Sequence, residues 1–166
     1  MTATHGFTLI ELVVTLSLIT LMLFVTIPRL PNTSFTDGKR RTSTWITGKI
    51  QALKDKSVIR DRDHTLHIDM ETGRLWISHE SMTPDELHSA RLKGFVLPDG
   101  ARVQGVEFSD GEKQTSGQAE ILFSKKGYSG KALIHTSFSD GTRRSFLVEP
   151  FLQKVKLYEG PISFNQ

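Results

Sequence analysis

One carboxylate, Glu11, stands inside an otherwise apolar run that covers residues 7–27. The chemistry open to a lone acid in such surroundings is charge pairing. An acidic residue at the centre of a membrane helix costs roughly 2.5–3.5 kcal/mol, and less near an end, so a chain that keeps one there needs a partner for it. Other residues that could do chemistry are less well organised. His64 and His67 open a stretch of alternating polar and apolar residues, but strand side chains three apart point to opposite faces and cannot chelate together. His79, His88 and His135 have no ligand spacing to them, so surface or satisfied histidines are the reading, with no metal and no cofactor expected. No nucleophile elbow, phosphate-binding glycine loop or dinucleotide fingerprint occurs. No catalytic residue is assigned, and an enzyme is not expected.

Bulk properties narrow the remaining classes. The 166 residues carry a net charge of +3, and Glu11 is the only charge before Arg29, so residues 29–166 carry +4. That excess is thinly spread. The basic candidates are Lys125-Lys126, Arg143-Arg144 and Lys154 with Lys156, the last two sharing a face if they lie on a strand. No interleaved aromatics mark a base-stacking platform, so a solvated sheet face is favoured over a nucleic-acid site. There is no cysteine, which excludes disulfides and thiolate metal sites.

The elements that must position these residues begin with the apolar run. Its 21 residues would measure about 32 Å as a helix, enough for a hydrocarbon core. No basic start precedes it and no small-residue cleavage site follows it, unlike a secretory signal peptide. Pro28, Pro31 and Gly38 then predict a kink or unwound stretch over residues 28–38. A second, amphipathic helix is expected over 39–60, with Trp45, Ile46, Ile50, Leu53 and Ser57 on its apolar stripe and Lys49, Lys54, Asp55, Lys56 and Arg60 mostly off it.

From His64 the period changes to two. Leu66, Ile68 and Met70 alternate with polar residues, Glu71-Thr72-Gly73 turns the chain, and Leu75 and Ile77 resume the inward face. Further runs at 95–98, 101–108, 118–123, 131–138, 143–148 and 154–158 are separated by glycine-marked turns, including Phe-Ser-Asp-Gly at both 108–111 and 138–141. About eight strands in an antiparallel sandwich follow, making the chain α+β. Thr83-Pro84-Asp85-Glu86 predicts a short exposed helix with a capping box, ended by Gly94. Residues 109–117 read as a mobile polar loop.

Gly6-Phe7-Thr8-Leu9-Ile10-Glu11-Leu12 resembles the processing signal of type IV pilins and type II secretion pseudopilins. The resemblance implies cleavage by a prepilin peptidase between Gly6 and Phe7, N-methylation of Phe7, and retention of the apolar run as a single membrane span and later filament core. It implies that Glu11 pairs with the N-terminal amine of a neighbouring subunit and sets register; an intrasubunit pair is the alternative. The basic flank of Arg29, Lys39, Arg40 and Arg41 would by the positive-inside rule stay in the cytoplasm, whereas the resemblance places the globular part in the periplasm. The layout is then a leader at 1–6, a span at 7–27, a linker at 28–38 and a periplasmic head at 39–166.

The head is similar to minor pseudopilins of the GspH/FimT type. The shared features are a helix leading into a hairpin, Phe123 followed by Gly127-Tyr128-Ser129, and a closing pair from Val148-Glu149-Pro150 to Glu159-Gly160. Many members carry a Thr-Gly turn where this chain has Phe151-Leu152-Gln153. The implied function is that of a minor pseudopilin helping to export folded proteins. Its implied partners are major and minor pseudopilins, the prepilin peptidase, the inner-membrane assembly platform and secreted substrates. The alternative is a type IV minor pilin serving pilus assembly, adhesion or DNA uptake.

Overall fold

The computed structural model describes residues 8–26 and 33–164, with side chains placed over 8–22 and 37–164. The chain divides into two compact units, with the boundary between Thr33 and Ser34. The described residues of the first contain one helix, α1 (Leu9–Thr26). Its residues are apolar on every side, so no single face is selected for a core, and every described side chain from Thr8 to Met22 is exposed. Thr15 and Thr20 return their hydroxyls to the carbonyls of Glu11 and Leu16, at 2.9 and 2.8 Å, which removes two donors from apolar surroundings.

Apart from its first residue, α2 (Thr33–Ile59) belongs to the second unit. The expected break over residues 28–38 is corrected in its second half, because positions 33–38 are helical. Positions 28–32 lie outside the described residues. A glycine inside a helix costs about 1 kcal/mol against alanine, and tertiary contacts offset it here. A Cβ on Gly38 would meet Pro98 at 3.6 Å, and Lys39 Nζ lies 2.6 Å from Asp140 Oδ2. The stripe of α2 is as the periodicity predicts, with Ile46, Ile50, Leu53 and Ser57 buried and Thr42 extending it. Trp45 sits at its margin and stacks on Phe95 with ring centroids 4.6 Å apart. Lys54 is drawn inside.

Nine strands follow among the described residues. They are β1 (His64–Asp69), β2 (Arg74–His79), β3 (Phe95–Val96), β4 (Ala101–Phe108), β5 (Lys113–Gln114), β6 (Gln118–Phe123), β7 (Ala132–Phe138), β8 (Arg143–Val148) and β9 (Lys156–Glu159). Every pairing is antiparallel, in a four-stranded sheet of order β3-β2-β1-β6 and a five-stranded sheet of order β5-β4-β7-β8-β9. One buried cluster joins α2, through Ile46, Ile50 and Leu53, to Leu66, Ile121 and Phe123 of the first sheet and Val106, Ile134 and Phe146 of the second. Alternation is cleanest on β6, where Ala119, Ile121 and Phe123 are buried between exposed neighbours.

The additional strand, β5, corrects the loop reading of residues 109–117 at positions 113–114. Lys113 and Gln114 pair with Glu107 and Val106 through backbone groups. Gly105 permits the approach, since a Cβ there would stand 2.8 Å from the carbonyl oxygen of Gln114. Between β2 and β3 lies α3 (Pro84–Leu92), none of whose residues is buried. Both halves of its capping box form: Glu86 N–H donates to Thr83 Oγ1 at 3.3 Å, and Thr83 N–H donates to Glu86 Oε2 at 2.8 Å.

Candidate functional site

Glu11 falls in the first turn of α1, where the positive end of the helix dipole favours an acid. The backbone closes that turn, with the N–H groups of Glu11 and Leu12 donating to Thr8 O at 3.1 and 3.3 Å. Among the described residues its carboxylate has no ion-pair partner. Gly6 and Phe7, the residues expected to be cleaved and methylated, lie outside the described residues. Among the described residues no helix is long and apolar enough to cross a membrane. The 18 residues of α1 measure about 27 Å, and the expected span 7–27 extends past them at both ends.

His64 and His67 are occupied structurally. His64 Nδ1 lies 3.1 Å from Ser57 Oγ and 2.9 Å from the Arg62 carbonyl. His67 is held between Glu120 at 3.1 Å and Ser78 at 2.7 Å and stacks on Trp76. Burial pushes both rings below the ordinary histidine value, for His67 against the pull of Glu120. No group of three metal-ligating side chains occurs among the described residues.

The basic candidates do not form one stripe. Lys125 reaches Glu80 at 3.4 Å, Arg144 reaches Glu159 at 3.4 Å, and Lys156 reaches Glu149 at 3.8 Å. Arg144 also donates to Ser43 Oγ on α2 at 3.0 Å. The shared face expected for Lys154 and Lys156 is corrected, because β9 begins at Lys156 and leaves Lys154 in the preceding loop. Lys126, Arg143 and Lys154 have no carboxylate partner among the described residues, and they sit on three separate segments.

Two polar centres went unseen in the sequence. Lys54 Nζ donates to the carbonyls of Glu149 and Leu152, the latter at 2.6 Å, tying α2 to the chain after β8. Burial lowers its pKa, opposed by the Glu149 charge. The second centre joins β4, β7, β8 and the C-terminal segment. Ser145 Oγ donates to the Gly160 carbonyl at 2.7 Å, so it must accept from His135 Nδ1, 3.0 Å away. This fixes the neutral tautomer and leaves Nε2 bare, 3.8 Å from the buried Glu107 carboxylate. Burial alone would raise the pKa of Glu107; donors from Ser163 and the Phe164 N–H, at 2.7 and 2.9 Å, outweigh it, and the net shift is downward. These groups strap the C-terminal segment across the second sheet. They meet only through strand register, Gly105 opposite His135 and His135 opposite Ser145, which leaves no local signal.

No protein-family model matches the chain, and no curated protein does. Solved structures do. The chain is 14% identical to the minor pseudopilin EpsH of the type II secretion system of Vibrio cholerae, with a TM-score of 0.54 over 76% of this chain and 97% of that one. A second structure of EpsH from Vibrio cholerae aligns at 13% identity over 72% of this chain and 95% of that one, with a TM-score of 0.49. The fold is therefore pseudopilin-like, two antiparallel sheets and a packed helix in an α+β arrangement.

Proposed function

We propose that this chain is a minor pseudopilin of a type II secretion system, a single-pass protein of the bacterial inner membrane with its head in the periplasm. The observation that carries the reading is one chain joining an apolar helix, exposed on all sides and bearing a first-turn acid, to a head of pseudopilin-like fold. Prepilin peptidase removes residues 1–6, Phe7 becomes the methylated N-terminus, and residues 7–27 first anchor the protein and then join the filament core. There Glu11 meets the N-terminal amine of a neighbour. An acid facing an ammonium in an apolar bundle is far less costly than one left unpaired, so correct register is favoured over its slips. The head contacts major and minor pseudopilins and the secreted substrate, while the assembly platform receives the membrane segment.

The test replaces Glu11 by leucine. Glu11→Leu should insert into membranes like the parent protein, yet its recovery in crosslinked complexes with partner pseudopilins should fall by about tenfold, equivalent to 1.4 kcal/mol. Recovery at the parental level would contradict the register role. A second reading is a type IV minor pilin that takes up DNA. That reading requires duplex DNA binding by the full chain with a steep salt dependence.

A further inference from the structure

The last turn of α2 and the strand ends beside it enclose a cleft of about 390 Å³ lined by Lys56, Arg60, Arg62, His64 and His79. Three full cations and two imidazoles face it, and no carboxylate lines it. The two histidines are register partners across β1 and β2, with ring centroids 5.7 Å apart. His79 Nδ1 is buried and has no hydrogen-bond partner among the described residues.

Nearby acids are engaged elsewhere: Glu86, whose carboxylate feels His79, is held by the Thr83 N–H and hydroxyl at the α3 cap. Asp63 accepts from Lys125 N–H at 2.8 Å and from Ser124 Oγ at 3.3 Å, and Glu80 is engaged by Lys125 Nζ. Asp55 and Asp61 are exposed, and neither lines the cleft. The helix terminus does not call for three cations either. Its dipole amounts to about half a charge, and the carbonyls of Lys56, Ser57 and Val58 already accept from the N–H groups of Arg60, Arg62 and Asp61 at 2.9, 3.0 and 3.2 Å.

We infer that this cleft receives an acidic peptide segment of a partner protein. Arg60 and Arg62 take carboxylates through their guanidinium forks, and Lys56 adds a compact third charge. Ile59, exposed and three residues from Lys56 on the same helix, offers apolar contact to a side chain flanking the acids. This mixture suits a peptide better than a nucleic acid, because no Phe, Tyr or Trp lines the cleft to stack a base. The inference depends on the head's geometry and is independent of which filament, if any, the chain joins.

The experiment uses the full chain in neutral detergent micelles and three fluorescent probes: octaglutamate, octaglutamine and octathymidylate. Octaglutamate should bind in fluorescence anisotropy, octaglutamine should not, and binding should weaken between 50 and 200 mM salt. The double substitution R60Q/R62Q should weaken octaglutamate binding by about tenfold or more. K56Q should weaken it less, and R102Q, on β4 and outside the cleft lining, should leave it unchanged. Octaglutamate should also move the His79 imidazole nitrogen resonances. The inference is overturned by absent binding, by binding that survives both R60Q/R62Q and K56Q, by a silent His79, or by octathymidylate binding more tightly through the same residues.

Discussion

The helix α1 and the head use apolar residues in opposite ways. In α1, Leu9 and Met22 are 83% and 75% exposed, and the residues between them are exposed too. In the head, Ile46, Ile50, Phe123 and Phe146 have no accessible surface at all. The head's sequence alternates or follows a helical stripe, so apolar side chains converge on one cluster. That of α1 has no polar face to set against an apolar one. Burying a leucine is worth about 1.5–3 kcal/mol, and α1 collects none of this from its own described residues. The head carries its stabilisation within itself, whereas α1 is apolar surface awaiting an environment. Polar groups differ likewise: buried acids in the head are satisfied by donors, as Asp69 is by the Glu71 and Thr72 N–H groups and Arg91, while Glu11 has no such partner among the described residues.

Phe146→Ala should destabilise the head by about 3–5 kcal/mol in denaturant unfolding. Leu16→Ala in α1 should leave the same transition within about 0.5 kcal/mol. A comparable loss from Leu16→Ala would mean that α1 belongs to the head's cooperative unit.

A smaller effect is expected at Lys54. Lys54→Met strips the Glu149 and Leu152 carbonyls of a buried donor and should cost about 1–3 kcal/mol. Thr83→Ala removes one half of the α3 capping box and should cost about 1 kcal/mol. Because no residue of α3 is buried, a much larger loss would show that its role is not local.

The smallest effect is a pH dependence. Burial holds His64, His67 and His135 below the ordinary histidine value, with Lys113 adding to the effect at His135 and Glu107 opposing it. The unfolded chain therefore binds more protons than the folded one between about 6.5 and the lower folded values. Stability is full above that window and falls as pH drops through it. The head's Tm should be lower at pH 5.5 than at pH 7.5, and His64→Gln should flatten the difference. Asp140 titrates far below this range, at about 2, chiefly through Lys39 and then Thr142, so it contributes nothing to the slope there.

Legibility in the sequence followed the range of the interaction. The α3 capping box depends on residues three apart and was readable outright, as were the alternation of β6 and the stripe of α2. The start of α2 was not, because Gly38 reads as a breaker until Pro98 and Asp140 are brought against that turn. Nor was β5, whose Lys113 and Gln114 pair through backbone and carry no apolar signal. Lys54 looked like a solvated charge because its acceptors lie about a hundred positions away. The same rule covers the proposed cleft, since His64 and His79 face one another only through the β1–β2 register. For the first unit, the motif of Gly6, Phe7 and Glu11 is compact and local, and it carries the functional reading.

Under the proposed function α1 is a processed assembly helix, and the mass of the protein isolated from bacterial membranes records that processing. Intact-mass spectrometry should find the chain short by residues 1–6 and heavier by one methyl group on Phe7. A mass corresponding to the chain with residues 1–6 retained and unmethylated would contradict it.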